Sequence, residues 1–225
     1  MSKKPEDIPD IILIVGIDAA GKDHLAKIAQ RLIRERGGCA EKRKNLLSGS
    51  KAAENTGGAK TALVLFLERA FLVLLPFFGF LLPRILTVLL QRDLRKFKTP
   101  GEKLIIIGHR YLRGLAIYWA LRYPRKDLIP LPQGLTATLA EMRTIPSFHT
   151  IVLSVDQIIR KRRITKRRTL GEADVFDRYM EENPEVAKHT EDILVWLTRQ
   201  FLGAQLIVNN DLPEEELRRL IVRES

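Results

Sequence analysis

Residues 11–23 read IILIVGIDAAGKD, and this stretch decides the fold. Ile11 to Val15 form a continuous, β-branched apolar run, the pattern of a strand buried on both faces. Gly16-Ile17-Asp18-Ala19-Ala20-Gly21-Lys22 then matches G-x-x-x-x-G-K, and Asp23 stands where Ser or Thr usually follows. Glycines let a backbone curl so that N–H groups point inward, and the start of a helix adds partial positive charge. Lys22 would reach outer phosphates as a point charge. The cradle is therefore expected from Gly16, Asp18, Ala19, Ala20, Gly21, Lys22, Asp23 and His24. Strand, loop and helix occur in the order such a cradle requires, which a chance glycine-rich turn does not.

The pattern continues outward from the loop. HLAKIAQRLIRERGG (24–38) spaces Leu25, Ile28, Ala29, Leu32 and Ile33 as one helix face and stops at Gly37-Gly38. Buried strands are expected at Leu104–Ile107, Thr150–Val155 and Leu206–Val208. Helices are expected at Tyr111–Arg122, Leu135–Arg143, Gln157–Arg168, Pro184–Phe201 and Pro213–Arg223. Residues 40–61 are polar and glycine-bearing and read as a loop. Strand–helix alternation of this kind predicts an α/β fold of three layers, a parallel sheet with helices on both faces. Length, 225 residues, and the absence of a linker or repeat predict one domain over 1–225.

Composition narrows the partners. The net charge is +11, and nine residues, RKRRITKRR (160–168), carry seven of the positive charges. Without that segment the balance falls to +4. An anionic partner is expected, and the segment is where it should be gripped. No aromatic interleaves the run, as stacking on nucleic-acid bases would require, so nucleic acid is disfavoured. One cysteine, Cys39, excludes a disulfide framework. His24, His149 and His189 are isolated by spacing, and Trp119 and Trp196 sit in apolar helical patterns that predict core. The opening MSKKPEDIPD fits neither a secretory signal nor a transit peptide, and a cytoplasmic location is the expectation.

At this point the chain resembles thymidylate kinases and their relatives among P-loop nucleotide kinases. IILIVGIDAAGKD looks like that family's first strand and loop, including the acid at Asp18, a position that contacts the acceptor's sugar in the family. IIIGHRYLRGLAIYWA (105–120) looks like its second landmark, with Arg110 and Tyr111 in register and His109 where the family has Asp. The strand ending near Asp156, the basic helix after it and VFDRYMEENPEVAKHTEDILVWL (175–197) resemble its lid and following helix. QLIVNND and EEELRRLI resemble its closing strand and helix. Arg69, in LFLERAF, matches a helix arginine that holds the acceptor. The family's Arg-Glu-Pro-Gly segment has no counterpart in 40–60, and Leu65 stands where it has an aromatic.

The resemblance implies a P-loop kinase fold and transfer of a terminal phosphate from ATP, with Mg2+, to a nucleoside monophosphate or similar acceptor. Lys22 and the loop would hold the donor, and Asp23 the metal. Asp18, Arg69, Arg110 and Tyr111 would meet the acceptor. A lid at about 157–175 would supply cations that the loop itself lacks; helical spacing selects Arg160, Arg163 and Arg167. Two alternatives stay open. One is a polyphosphate kinase-like phosphotransferase, since DAAGKD is also spelled in that family. The other is a nucleotide-binding protein of weak turnover at a membrane.

The membrane reading comes from a different stretch. Residues 70–90 carry one charge, Arg84, and form part of an apolar helical insertion at about 61–92. One full crossing would separate loop from lid across the bilayer, so spanning is excluded by the fold. Contact with the inner face of a membrane, packing within the protein, or a homodimer interface remain as readings.

Overall fold

A computed structural model of the protein describes residues 8–46, 81–97, 102–171 and 175–222. Five strands form one sheet: β1 (Ile11–Gly16), β2 (Ala40–Arg43), β3 (Lys103–Ile107), β4 (Phe148–Ser154) and β5 (Gln205–Val208). Their order is β2-β3-β1-β4-β5, with every pairing parallel. β1 is central, aligning Ile11 with Leu104 of β3 and with Phe148 of β4. All six of its residues are buried. Successive side chains point to opposite faces of a strand, so full burial means that both faces of the sheet are covered.

The covering helices are α1 (Lys22–Glu35), α2 (Leu81–Lys96), α3 (Arg110–Arg122), α4 (Leu135–Arg143), α5 (Gln157–Thr169), α6 (Val175–Glu182), α7 (Pro184–Leu202) and α8 (Glu214–Ile221). α1 packs on β1, β3 and α8, whereas α7 packs on β1, β4, α3 and α4. The expected face of α1 is the buried one, with Leu25, Ile28, Ala29, Leu32 and Ile33 against the sheet. Trp119 of α3 is fully buried, as its apolar pattern predicts. The architecture is the three-layer α/β fold, a parallel sheet with helices on both faces, that the strand–helix alternation predicts.

One expectation needs correction. Residues 40–43, read as loop, form edge strand β2, aligning Ala40 with Lys103 and Arg43 with Ile106. All four residues are only half-buried, so an apolar run was not needed to hold them. The basic helix is followed by a separate helix, α6, before α7 begins at Pro184. In the apolar stretch, residues 81–96 are the helix α2, while 61–80, with Leu65 and Arg69, lie outside the described residues. Among the described residues no helix is long and apolar enough to cross a membrane.

Candidate active site at the carboxyl edge of the sheet

β1, β3, β4 and β5 all end on one edge of the parallel sheet, where α/β folds place their ligand crevices. Four segments meet there: the loop 16–22, Gly108–Tyr111, Asp156 with α5, and Asn209–Asp211.

The loop's glycines answer to specific crowding. Gly16 has φ +154°, and a Cβ on it would lie 2.8 Å from the Leu153 carbonyl oxygen. Gly21 caps the start of α1 at φ +96°, where a Cβ would fall 2.3 Å from Asn209 Nδ2. Any side chain at either position would push apart two segments that the edge holds together. Ala19 also takes a positive φ, 63°.

Lys22 is buried and folds back over the loop, its Nζ donating to the Ile17 carbonyl at 2.6 Å and lying 3.9 Å from Asp18 Oδ1. Its stem runs past Gly108, where an added Cβ would sit 3.2 Å from Lys22 Cε. Burial pushes the ammonium's pKa down; Asp18 opposes this and Arg113 adds to it. A desolvated ammonium held by one carbonyl and one distant carboxylate gains from an incoming anion.

Asp18 is committed to Arg113, whose Nη2 donates to Oδ2 at 2.5 Å. Burial works to raise the Asp18 pKa, but Arg113, then Lys22, Arg167 and Arg160, outweigh it and hold the carboxyl below its usual range. Four cationic side chains thus act on one loop carboxylate.

α5 supplies two of them and also clamps the loop. Arg163 Nη1 donates to the Ala19 carbonyl at 3.0 Å. Its Nη2 donates to the Asn209 carbonyl at 3.0 Å and to Asp211 Oδ1 at 2.8 Å. Asn209 Nδ2 completes the joint by donating to the Ala20 carbonyl at 2.9 Å. Arg163, expected to face phosphates, here holds the backbone that would bind them. Arg167 bridges Asp177 of α6 at 3.2 Å and approaches Asp23 at 3.8 Å. Arg160 is buried and donates to the Met180 carbonyl at 3.2 Å, and its Nε has no hydrogen-bond partner among the described residues. Burial lowers its pKa, with Glu191 and Asp18 pulling the other way.

The end of β3 differs most from expectation. His109 is fully buried, and its Nε2 lies 3.1 Å from Asp93 Oδ2 of α2. A carboxylate accepts, so Nε2 carries the proton. Asp93 also takes the Leu46 N–H at 2.9 Å, tying α2 to the chain after β2. Arg110 is exposed; its N–H donates to the Lys44 carbonyl at 3.2 Å and to Asn45 Oδ1 at 3.3 Å. Tyr111 stacks edge-on to His109 with centroids 5.6 Å apart. Asp23 and His24 are exposed on the first turn of α1.

The structure therefore gathers Gly16 to Asp23, Arg160, Arg163 and Arg167 at one edge and sets Arg110 and Tyr111 beside them. Sequence reasoning missed Arg113, Asn209 and Asp93. Arg113 lies one helical turn beyond Arg110, a spacing that puts both on neighbouring positions of α3. Among the described residues no three His, Cys, Asp or Glu side chains group as a metal cluster.

No protein-family model matches the chain, and no curated protein matches it in sequence. Its structure is similar to that of thymidylate kinase from Candida albicans, over 95% of this chain and 89% of that one, at 17% identity and a TM-score of 0.45. The fold class rests on this chain's own strand order and loop.

Proposed function

We propose that the protein is an ATP- and Mg2+-dependent phosphotransferase that moves a terminal phosphate to a nucleoside monophosphate or similar phosphorylated acceptor. The observation that carries this reading is the set of cations at the loop: Lys22 and Arg113 at Asp18, Arg163 at the Ala19 carbonyl and Arg167 near Asp23. Such an excess of positive charge beside a G-x-x-x-x-G-K loop suits the oxygens of a phosphate chain.

In the proposed mechanism the loop amides and Lys22 hold the donor's outer phosphates. Lys22 would exchange its bond to the Ile17 carbonyl for them. α5, clamped to the loop through Arg163, would shield the site from water, and Arg160 and Arg167 would offset the charge that shifts during transfer. Arg110 and Arg113, on the first turn of the helix after β3, would meet the acceptor and would suit one that is itself anionic. A phosphate oxygen of the acceptor attacks the terminal phosphorus as its bond to the bridging oxygen breaks. The donor set fits Mg2+ in the usual way, with few protein ligands: Asp23 is an exposed carboxylate directly after the loop, and substrate phosphates and water supply the remainder. Mg2+, when bound, would neutralise charge on the donor phosphates. Asp18, which the family resemblance assigns to the acceptor's sugar, would have to leave Arg113 to take that part.

The test is turnover of the purified full chain with Mg-ATP and a panel of nucleoside monophosphates, nucleosides and polyphosphate. A phosphorylated product that disappears in Lys22→Ala supports the proposal; a polyphosphate-dependent product favours the polyphosphate kinase-like alternative. One observation favours the reading as a nucleotide-binding protein of little turnover: His109 is sealed against Asp93 and presents no carboxylate at the end of β3. Tight nucleotide binding without product on any acceptor would select it.

A further inference from the structure

α2 divides cleanly along its length. Leu82, Pro83, Thr87, Leu90, Asp93 and Leu94 are buried, and they fall on one half of the helix circumference. The other half faces outward. Its first turns expose Leu81 at 53%, Ile85 at 43% and Val88 at 60%, an i, i+4, i+7 stripe. Its remaining exposed residues are Arg84, Arg92, Arg95 and Lys96. The helix's one acid, Asp93, is on the buried half against His109, so the outward half carries apolar and cationic groups only. Leaving three large aliphatic side chains on one exposed stripe is costly in water, and such stripes mark contact surfaces.

We propose that this outward face of α2 docks on an anionic lipid surface. Aliphatic side chains interleaved with arginines, and a cationic last turn, match the boundary between acyl chains and acidic headgroups. Arg92 and Arg95 have the reach to keep their guanidinium groups at the headgroups while Leu81, Ile85 and Val88 enter the apolar layer. The preceding sequence, AFLVLLPFFGF (70–80), has no charged residue, so nothing in it opposes entry of the helix start. A second copy of the chain fits less well. A two-fold pairing brings this face against itself, and its exposed residues include no acid to meet its arginines. The docking is independent of what the phosphate loop does.

Vesicle flotation of the full chain tests this, with phosphatidylcholine alone or mixed with phosphatidylserine, at low and high salt. Two double variants report on the face, and both lie away from the loop: Ile85→Gln with Val88→Gln, and Arg92→Gln with Arg95→Gln. Thermal melts check that each is folded. The proposal expects flotation with the anionic vesicles only, weakened by salt. The arginine variant should lower partitioning roughly 25-fold, and the aliphatic variant about tenfold or more. Three results would overturn it: no flotation with either lipid, flotation that both variants leave unchanged, or a lipid-independent dimer that the aliphatic variant dissociates.

Discussion

Arg113 Nη2 donates to Asp18 Oδ2 at 2.5 Å, joining the first turn of α3 to the middle of the loop 16–22. Asp18 is largely withdrawn from solvent, its side chain 13% exposed. Arg113→Met would strand a carboxylate that burial already disfavours, and the loss should be about 2–3 kcal/mol by denaturant melts at neutral pH. The sign with pH follows from the lowered Asp18 pKa. A folded-state value below the unfolded one stabilises the protein above an unfolded pKa of about 3.9, and this stabilisation fades as pH falls through the folded value. The gap between wild type and Arg113→Met should therefore narrow in melts below about pH 4. A gap that stays constant into acid would show that the pair does not govern Asp18.

Lys22 has the opposite character. Its folded-state pKa lies below the ordinary lysine value, so the ligand-free fold resists the charge it carries at neutral pH. Stability should rise with pH between the lowered value and about 10.4. Lys22→Met, which keeps the stem beside Gly108, should melt at or above the wild type without nucleotide, by up to about 1 kcal/mol. It should gain nothing from added Mg-ATP, whereas the wild type should. Calorimetric melts with and without nucleotide read both effects.

The clamp from α5 to the loop gives a third expectation. Arg163→Met leaves the Ala19 and Asn209 carbonyls without their guanidinium donor. Both Arg163→Met and Asn209→Ala, which removes the bond to Ala20, should free the loop. Nucleotide affinity should fall about tenfold in each, with a loss of about 1–2 kcal/mol in binding. The double variant should be less than additive, because the two residues brace one loop. Isothermal titration with Mg-ATP measures this.

His109 supplies a fourth. Placing an acid there, His109→Asp, sets a second carboxylate against buried Asp93. That variant should lose roughly 3 kcal/mol at neutral pH, more than His109→Asn. One carboxyl of the pair would be raised above its unfolded value, so His109→Asp should recover stability as pH falls. Urea melts of the two variants at neutral and acid pH decide it.

Much of the fold was legible because the strongest signals were local. Ile11–Val15 and the helix face after Lys22 each bury what their spacing says they bury. β2 was not legible. AEKR has no apolar run, and it is a strand only because β3 lies alongside it. The site was legible where the chemistry sat within the loop or the basic run. It was not where partners meet across the fold. Asp18 and Arg113 are 95 residues apart, and Ala20 and Asn209 are 189 apart. Asp93 left one trace, a lone acid on the same stripe as Leu90 and Leu94. That trace marks a buried partner without saying that it is His109.

The central claim is that the loop carrying Lys22 binds a phosphate donor and passes on its terminal phosphoryl group. Its most direct test follows the label of γ-phosphate-labelled ATP, with Mg2+ present, into each acceptor for the wild type and Lys22→Met. Label appearing on a phosphorylated acceptor with the wild type, and falling at least about a hundredfold with Lys22→Met, is the predicted result. Equal transfer by the two proteins, or no bound nucleotide with either, would contradict it.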